Sequence, residues 1–222
     1  MKRNFFKRLL SQRGYSIIRL NSRSDDMTFP LSRISNEFDL VVDVGVATGT
    51  PDLYEGIGSK PLILIEAFPE YYEYLRREYP KAKLIEECLS DKVEELTFYV
   101  RDKQSTSSLN QGSTFSKKLK IKTKTLDMLL DGVVDSNENI CLKLDTEGSE
   151  LKILQGAKKT LNQCKYVISE ATFYPSLKGA NNYFELVDFM KSNGFKIYDF
   201  VNIRKTNDEI DQLDIIFKNK NL

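Results

Sequence analysis

Beyond residue 38 the chain alternates between two kinds of apolar pattern. Residues 39–44, 61–65, 82–85, 140–144 and 166–169 are short, nearly continuous apolar runs that stop at acidic or glycine-rich positions, and they predict buried strands. Between them, residues 69–79 open on a proline suited to the first turn of a helix, and residues 149–161 carry Leu151, Leu154, Ala157 and Leu161 at helical spacing. Both predict helices. Strands separated by helical crossovers imply a parallel sheet with helices on both faces, so the fold class is α/β, doubly wound and mostly parallel. Farther on, residues 182–192 predict a helix. Residues 195–201 and 213–217 predict two strands, linked by the polar stretch 202–212 and paired as an antiparallel edge. Residues 94–100 predict an extra strand, and the Ser-, Lys- and Gln-rich stretch 102–118 a long loop of the kind that usually serves function.

Composition narrows the picture. With 222 residues, 41% hydrophobic and 11% aromatic, the chain has enough apolar material for a core, which excludes disorder as its main state. A net charge of +1 provides no whole-chain field for an acidic polymer, and no nucleic-acid partner is expected. The longest apolar runs fall far short of the roughly 20 residues of a membrane-spanning helix. Residues 1–24 stand apart from the domain at 25–222: seven cations precede the first acid, Asp25, and Phe5, Phe6, Leu9 and Leu10 share one face of a helix. Three readings of that segment stay open: a helix docked on its own domain, a peripheral contact at the inner membrane face, and a cleaved transit peptide. The expected location is the cytoplasm.

Cys88, Cys141 and Cys164 are odd in number and widely spaced, which argues against a disulfide framework and a thiolate zinc site. Histidine is absent, which removes imidazole bases and ligands. Chemistry must come from other groups.

Three stretches qualify. Val41-Val42-Asp43-Val44-Gly45-Val46-Ala47-Thr48-Gly49-Thr50 is a strand running into a glycine turn and a helix start, at the sheet edge where doubly wound folds bind ligands. A dinucleotide fingerprint would need glycine at Ala47 and Thr50, so the turn suits a nucleoside without a diphosphate. By itself it is also a plain strand-to-helix connection. Glu66, ending the next strand, is placed to accept hydrogen bonds from a ribose diol, and Cys88-Leu89-Ser90-Asp91 follows the third strand, where side chains would flank an adenine. Lys143-Leu144-Asp145-Thr146-Glu147-Gly148-Ser149-Glu150 places three carboxylates on the ligand edge, a costly arrangement unless they bind something, although one acid or hydroxyl would also serve as a helix cap. Glu170 ends the fifth strand and is expected in the same cleft.

The order and spacing of VVDVGVATGT, LIEAFPEYYEYL, ECLSD, STSSL, TKTLDMLL, CLKLDTEGSELKILQGA and VISEA resemble the FkbM-type S-adenosylmethionine-dependent methyltransferases. The likeness spans roughly residues 38–200, and Lys143 to Ala157 carries its most specific part. It implies a class I, Rossmann-like methyltransferase fold with a seven-stranded sheet, S-adenosylmethionine as cofactor, and O-methylation of a sugar, glycan or natural product. It also implies cofactor contacts from Asp43, Gly45 and Gly49 to the methionine part, Glu66 and Ala67 near the ribose, and Leu89, Ser90 and Asp91 near the adenine. Asp145, Glu147, Glu150 and Glu170 are the expected catalytic set, with Asp145 or Glu150 as the expected general base. Ser107, Ser108, Phe173 and Tyr174 are the expected acceptor contacts. Mg²⁺ held by the carboxylates is the less favoured variant. The chain departs from the usual family pattern at Ala47, where an Asn is common, and at Ala67, where a Pro is common. Two other functions compete. Tyr174-Pro175-Ser176-Leu177-Lys178 has the Tyr-x-x-x-Lys spacing of short-chain nicotinamide oxidoreductases, and a degenerate cofactor-binding module would dock on a membrane or partner.

Overall fold

The computed structural model describes residues 28–101, 107–111 and 115–222; the basic segment 1–24 and part of the stretch 102–118 lie outside the described residues. The chain begins with α1 (Thr28–Ile34), a 3₁₀ turn (Ser35–Glu37), β1 (Leu40–Val44), α2 (Pro51–Ile57) and β2 (Leu62–Ile65). A second 3₁₀ turn (Pro69–Tyr71) leads into α3 (Tyr72–Glu78), β3 (Lys83–Ile85), β4 (Cys88–Leu89), β5 (Glu95–Val100), β6 (Lys117–Lys124) and α4 (Leu126–Leu130). Then come β7 (Ile140–Leu144), α5 (Glu150–Gln155), α6 (Lys158–Gln163), β8 (Cys164–Thr172), α7 (Tyr183–Ser192), β9 (Phe195–Thr206) and β10 (Glu209–Asn219).

Seven strands form one sheet in the order β3-β2-β1-β7-β8-β10-β9. The first five are mutually parallel, and β10 runs antiparallel to both β8 and β9. This is the doubly wound sheet with an antiparallel edge that the apolar runs predict. Those runs are continuous because each inner strand is covered twice. Val42, Val44, Leu142 and Leu144 pack with Ile153 and Leu154 of α5 and Leu186 and Met190 of α7. Val41, Cys141 and Ile168 pack on the other face with Leu31 and Ile34 of α1 and Leu53 and Ile57 of α2. A small sheet, β4-β6-β5, stands beside the large one.

Three elements depart from the sequence pattern. The predicted helix 149–161 is two helices, α5 and α6. Gly156 interrupts it because the chain there passes close to another backbone: an added Cβ would lie 2.6 Å from the Ser90 carbonyl oxygen. Residues 202–212 form strand and turn rather than a polar linker. β9 and β10 continue past Thr172, where β8 pairing ends, to a tight turn at Asn207 and Asp208, both at positive φ (52° and 66°). With no third strand beside it, the tip is solvated and accordingly polar. The stretch expected to be loop gives way at Lys117 to β6, which runs on to Lys124 through residues for which the pattern predicts no element, with Leu119, Ile121 and Thr123 turned inward between outward-facing lysines.

A row of charges crosses the sheet near its carboxyl edge. Asp43 of β1 is in register with Lys143 of β7, Lys143 with Ile168 of β8, and Asp214 of β10 with Glu170. Two-residue alternation puts Asp43, Lys143, Glu170 and Asp214 on the face shared by Val41, Cys141, Ile168 and Ile216. Asp43, Lys143 and Asp214 are buried.

Candidate functional site

The strand order reverses between β1 and β7, and at such a switch point the crevice beyond the carboxyl ends of the strands is where ligands bind. Here that crevice is a cavity of about 570 Å³, open to solvent, lined by the turn after β1, the end of β2, Cys88 and Leu89, Phe98, Ser107 to Leu109, and the turn after β7.

The turn after β1 is fixed by its neighbours. Gly45 donates its N–H to Ile65 O and Asp145 donates to Val44 O, each at 3.0 Å, so the parallel ladders continue into the loops. Gly45 has φ 77°, and a Cβ there would overlap the Asp145 carbonyl oxygen. Its glycine is thus required first by the approach of the two strand ends. Ala47, also left-handed at φ 48°, donates its N–H to Glu66 Oε2 at 2.8 Å, while Glu66 Oε1 accepts from Phe68 N–H at 2.8 Å. Burial pushes the Glu66 carboxyl upward and these backbone donors oppose it. Asp43 does not line the cavity; its Oδ2 accepts from Tyr54 Oη at 2.7 Å and Thr50 Oγ1 at 2.9 Å. Its Oδ1 is buried without a hydrogen-bond partner among the described residues. Burial raises the Asp43 pKa, with Lys143 opposing.

The turn after β7 carries the acids. Lys143, 1% exposed, places Nζ 3.0 Å from Asp145 Oδ2, and the Asp145 side chain remains 41% exposed toward the cavity. Burial raises the Asp145 carboxyl, but the Lys143 charge outweighs it and holds the group below the usual carboxylate range. Burial pushes the Lys143 pKa down, but Asp145, Asp214 and Asp43 together raise it above the usual lysine value. Glu147 has φ 55°, an uncommon backbone for a side-chain-bearing residue, and lines the cavity. Burial and Asp145 raise its pKa, while Arg101 opposes. Glu150 is buried and absent from the cavity wall. Its Oε1 accepts from Thr146 N–H at 2.8 Å, Thr146 Oγ1 at 3.0 Å and Gly148 N–H at 3.1 Å, so it braces the turn that presents Asp145 and Glu147. The geometry therefore leaves Asp145 and Glu147, rather than Glu150, as the acids of this turn that face the cavity. Glu170 also stands back from the wall; burial and the neighbouring Asp145 push its carboxyl strongly upward, favouring its protonated form.

Of the other predicted residues, Gly45, Glu66, Ala67, Leu89, Ser107 and Ser108 reach the cavity. Gly49, Ser90 and Asp91 do not; Ser90 Oγ donates to Asp91 at 3.0 Å, and the apolar residues lining the cavity include Ile65, Phe68, Cys88, Leu89 and Phe98. Phe173 stacks on Tyr183 with centroids 4.5 Å apart, Tyr174 is 70% exposed, and neither lines the cavity. Phe98 on the cavity wall, Lys143 and Asn110 are among the contributors that carried no prediction. Lys143 was signalled by a lone cation inside the buried run Ile140-Cys141-Leu142-Lys143-Leu144. Asn110 was not signalled at all: its Nδ2 donates to Glu147 O at 3.2 Å and Ser149 Oγ at 3.1 Å, beside Ser108 Oγ, which donates to Glu147 O at 3.0 Å. Among the described residues, no group of three or more His, Cys, Asp or Glu is arranged to hold a metal ion.

A family model described as the methyltransferase FkbM domain matches residues 43–197. The chain belongs to that family of S-adenosylmethionine-dependent methyltransferases. It is similar to the solved methyltransferase FkbM from Methylobacillus flagellatus, at 16% identity and a TM-score of 0.53, covering 97% of this chain and 59% of that one. It thus spans 59% of the length of that relative. An S-adenosylmethionine-dependent methyltransferase from Clostridium acetobutylicum is similar at 12% identity and a TM-score of 0.50, over 99% of both chains. These likenesses establish the fold. No curated protein matches the chain in sequence.

The residues present suit the cofactor that the family implies. Ile65, Phe68, Leu89 and Phe98 give part of the cavity an apolar lining, as an adenine requires. Each Glu66 oxygen, having accepted one backbone hydrogen bond, keeps lone-pair capacity for ribose hydroxyls. The cavity then continues past Gly45 to two carboxylates, which complement a cationic donor.

Proposed function

We propose that the chain transfers a methyl group from S-adenosylmethionine to a hydroxyl oxygen of a sugar, glycan or natural product. The observation that carries this reading is that one cavity is lined by Glu66, Leu89 and Phe98 and also by Asp145 and Glu147. When bound, the donor supplies an activated methyl group on a sulfonium. The protein supplies alignment, which at near-attack distance accounts for on the order of 7–11 kcal/mol of barrier, and a destination for the hydroxyl proton. Asp145, ionised against Lys143, provides a fixed negative charge beside the reacting centre. Glu147, whose pKa is raised toward the working range, is the better-matched proton acceptor.

The oxidoreductase alternative loses its one support: Tyr174 and Lys178 lie in an irregular stretch before α7, so they share no helical face. Calorimetry separates the two readings. S-adenosylhomocysteine should bind the purified chain and NADH should not; the reverse result would sink the proposal. With a hydroxyl panel and radiolabelled donor, Glu147→Gln should abolish turnover while keeping S-adenosylhomocysteine affinity.

A further inference from the structure

The net charge of +1 conceals a segregated cationic row. β6 reads KKLKIKTK, five lysines in eight residues without an acid. Pairing with β5 sorts them. Leu119 faces Phe98 on the inward side, within an apolar cluster containing Phe68 and Val100. Outward, Lys118 stands opposite Tyr99, Lys120 opposite Thr97 and Lys122 opposite Glu95, with successive lysines about 7 Å apart by strand geometry. The Lys118 ammonium lies 4.8 Å from the Phe115 ring centroid and 5.6 Å from that of Tyr99. Lys120 reaches Glu95 only at 3.9 Å, with both side chains about two-thirds exposed, an ion pair of little energetic weight. β6 is the middle strand of its sheet, so these lysines do not guard an open edge.

We propose that the Lys118–Lys120–Lys122 row is a docking surface for anionic lipid headgroups that seats the domain peripherally on a bilayer. A flat row of ammonium point charges, with no arginine fork among them, fits a fluid layer of phosphates better than a fixed phosphate geometry. Tyr99 and Phe115, half-buried beside the row, are rings suited to headgroup depth. Apart from residues 1–24 and β6 the chain is net acidic, which opposes wrapping by an extended polyanion. The inward side of the same hairpin carries Phe98 into the cavity wall, so docking would hold the cavity within about one sheet thickness of the lipid surface. The lysine row is separate from segment 1–24 and from the acids that line the cavity.

Co-sedimentation of the full chain with vesicles tests it. Mixed phosphatidylglycerol–phosphatidylcholine vesicles should bind the chain and pure phosphatidylcholine vesicles should not. The combined Lys118→Gln, Lys120→Gln, Lys122→Gln variant should bind on the order of a hundredfold more weakly, with wild-type circular dichroism. Should that variant misfold, Lys118→Gln and Lys122→Gln singly should each weaken binding about fivefold. Unchanged vesicle binding in the folded variants would overturn the proposal, as would equal binding to both vesicle types. Binding to polyuridylate with indifference to vesicles would overturn it too, in favour of a polymer partner.

Discussion

The Lys143 ammonium, 1% exposed, stands 3.0 Å from Asp145 Oδ2 and shares its face of the sheet with Asp43 and Asp214. A buried cation of this kind is tolerated only because several anions surround it, and they in turn depend on it. Lys143→Met should therefore destabilise the chain by about 3–5 kcal/mol in urea at neutral pH, because uncompensated buried carboxylates remain. Asp145, with a lowered folded pKa, stabilises the native state above its unfolded value near pH 4, and that contribution fades as pH falls through the folded value. Lys143, raised, stabilises below its unfolded value of about 10.4 and loses that contribution only at higher pH. The penalty of Lys143→Met should accordingly shrink as urea titrations move toward acid pH. A penalty that stays constant down to strongly acid pH would contradict the pairing.

Glu170 behaves with the opposite sign. Its carboxyl is raised, chiefly by burial and then by Asp145, so the folded state holds a proton that the unfolded state has released above about pH 4.3. Stability falls as pH rises between those two values. Glu170→Gln mimics the protonated form, so chemical denaturation should show the variant gaining on wild type as pH rises from 5 to 8, in about that window. Parallel pH profiles would show that Glu170 is ionised in the fold.

Gly45→Ala tests how closely β1 and β7 must approach. The added methyl would overlap the Asp145 carbonyl oxygen, and φ 77° is strained for alanine. A loss of about 3 kcal/mol or more in urea is expected, together with loss of S-adenosylhomocysteine binding by calorimetry. A variant of wild-type stability would mean that the turn relaxes freely.

Ala47→Asn should do the reverse. Ala47 holds φ 48°, a conformation that costs most residues about 1–2 kcal/mol and that asparagine adopts more readily. An increase in thermal midpoint of about 2–4 °C is expected, since a gain of about 1 kcal/mol moves a domain of this size by that amount. A lowered midpoint would show that the asparagine side chain collides in the cavity.

How much of this was legible follows from what each residue answers to. The inner strands could be read because burial on both faces leaves little but Val, Ile and Leu in them, and the antiparallel edge because Leu213 to Phe217 kept that character. β6 escaped because its alternation of Leu119, Ile121 and Thr123 was drowned by lysines, and the hairpin tip because strands beyond a sheet's support need no apolar face. The break at Gly156 depends on Ser90, 66 positions earlier, which no local pattern records. The same holds for the acids. Composition placed Asp145, Glu147 and Glu150 together, but only the fold distinguishes the two that face the cavity from the one that accepts three hydrogen bonds behind it.

The grip of Ser108 and Asn110 on the Glu147 carbonyl ties a segment inserted between β5 and β6 to the turn that carries Asp145 and Glu147. Anyone grafting a relative's loop onto this scaffold to redirect it toward another acceptor would disturb the acid turn in the same stroke. Segments 107–111 and 145–150 are better exchanged as one cassette, with Gly148 and Ala180 retained because a side chain at the former would overlap the latter.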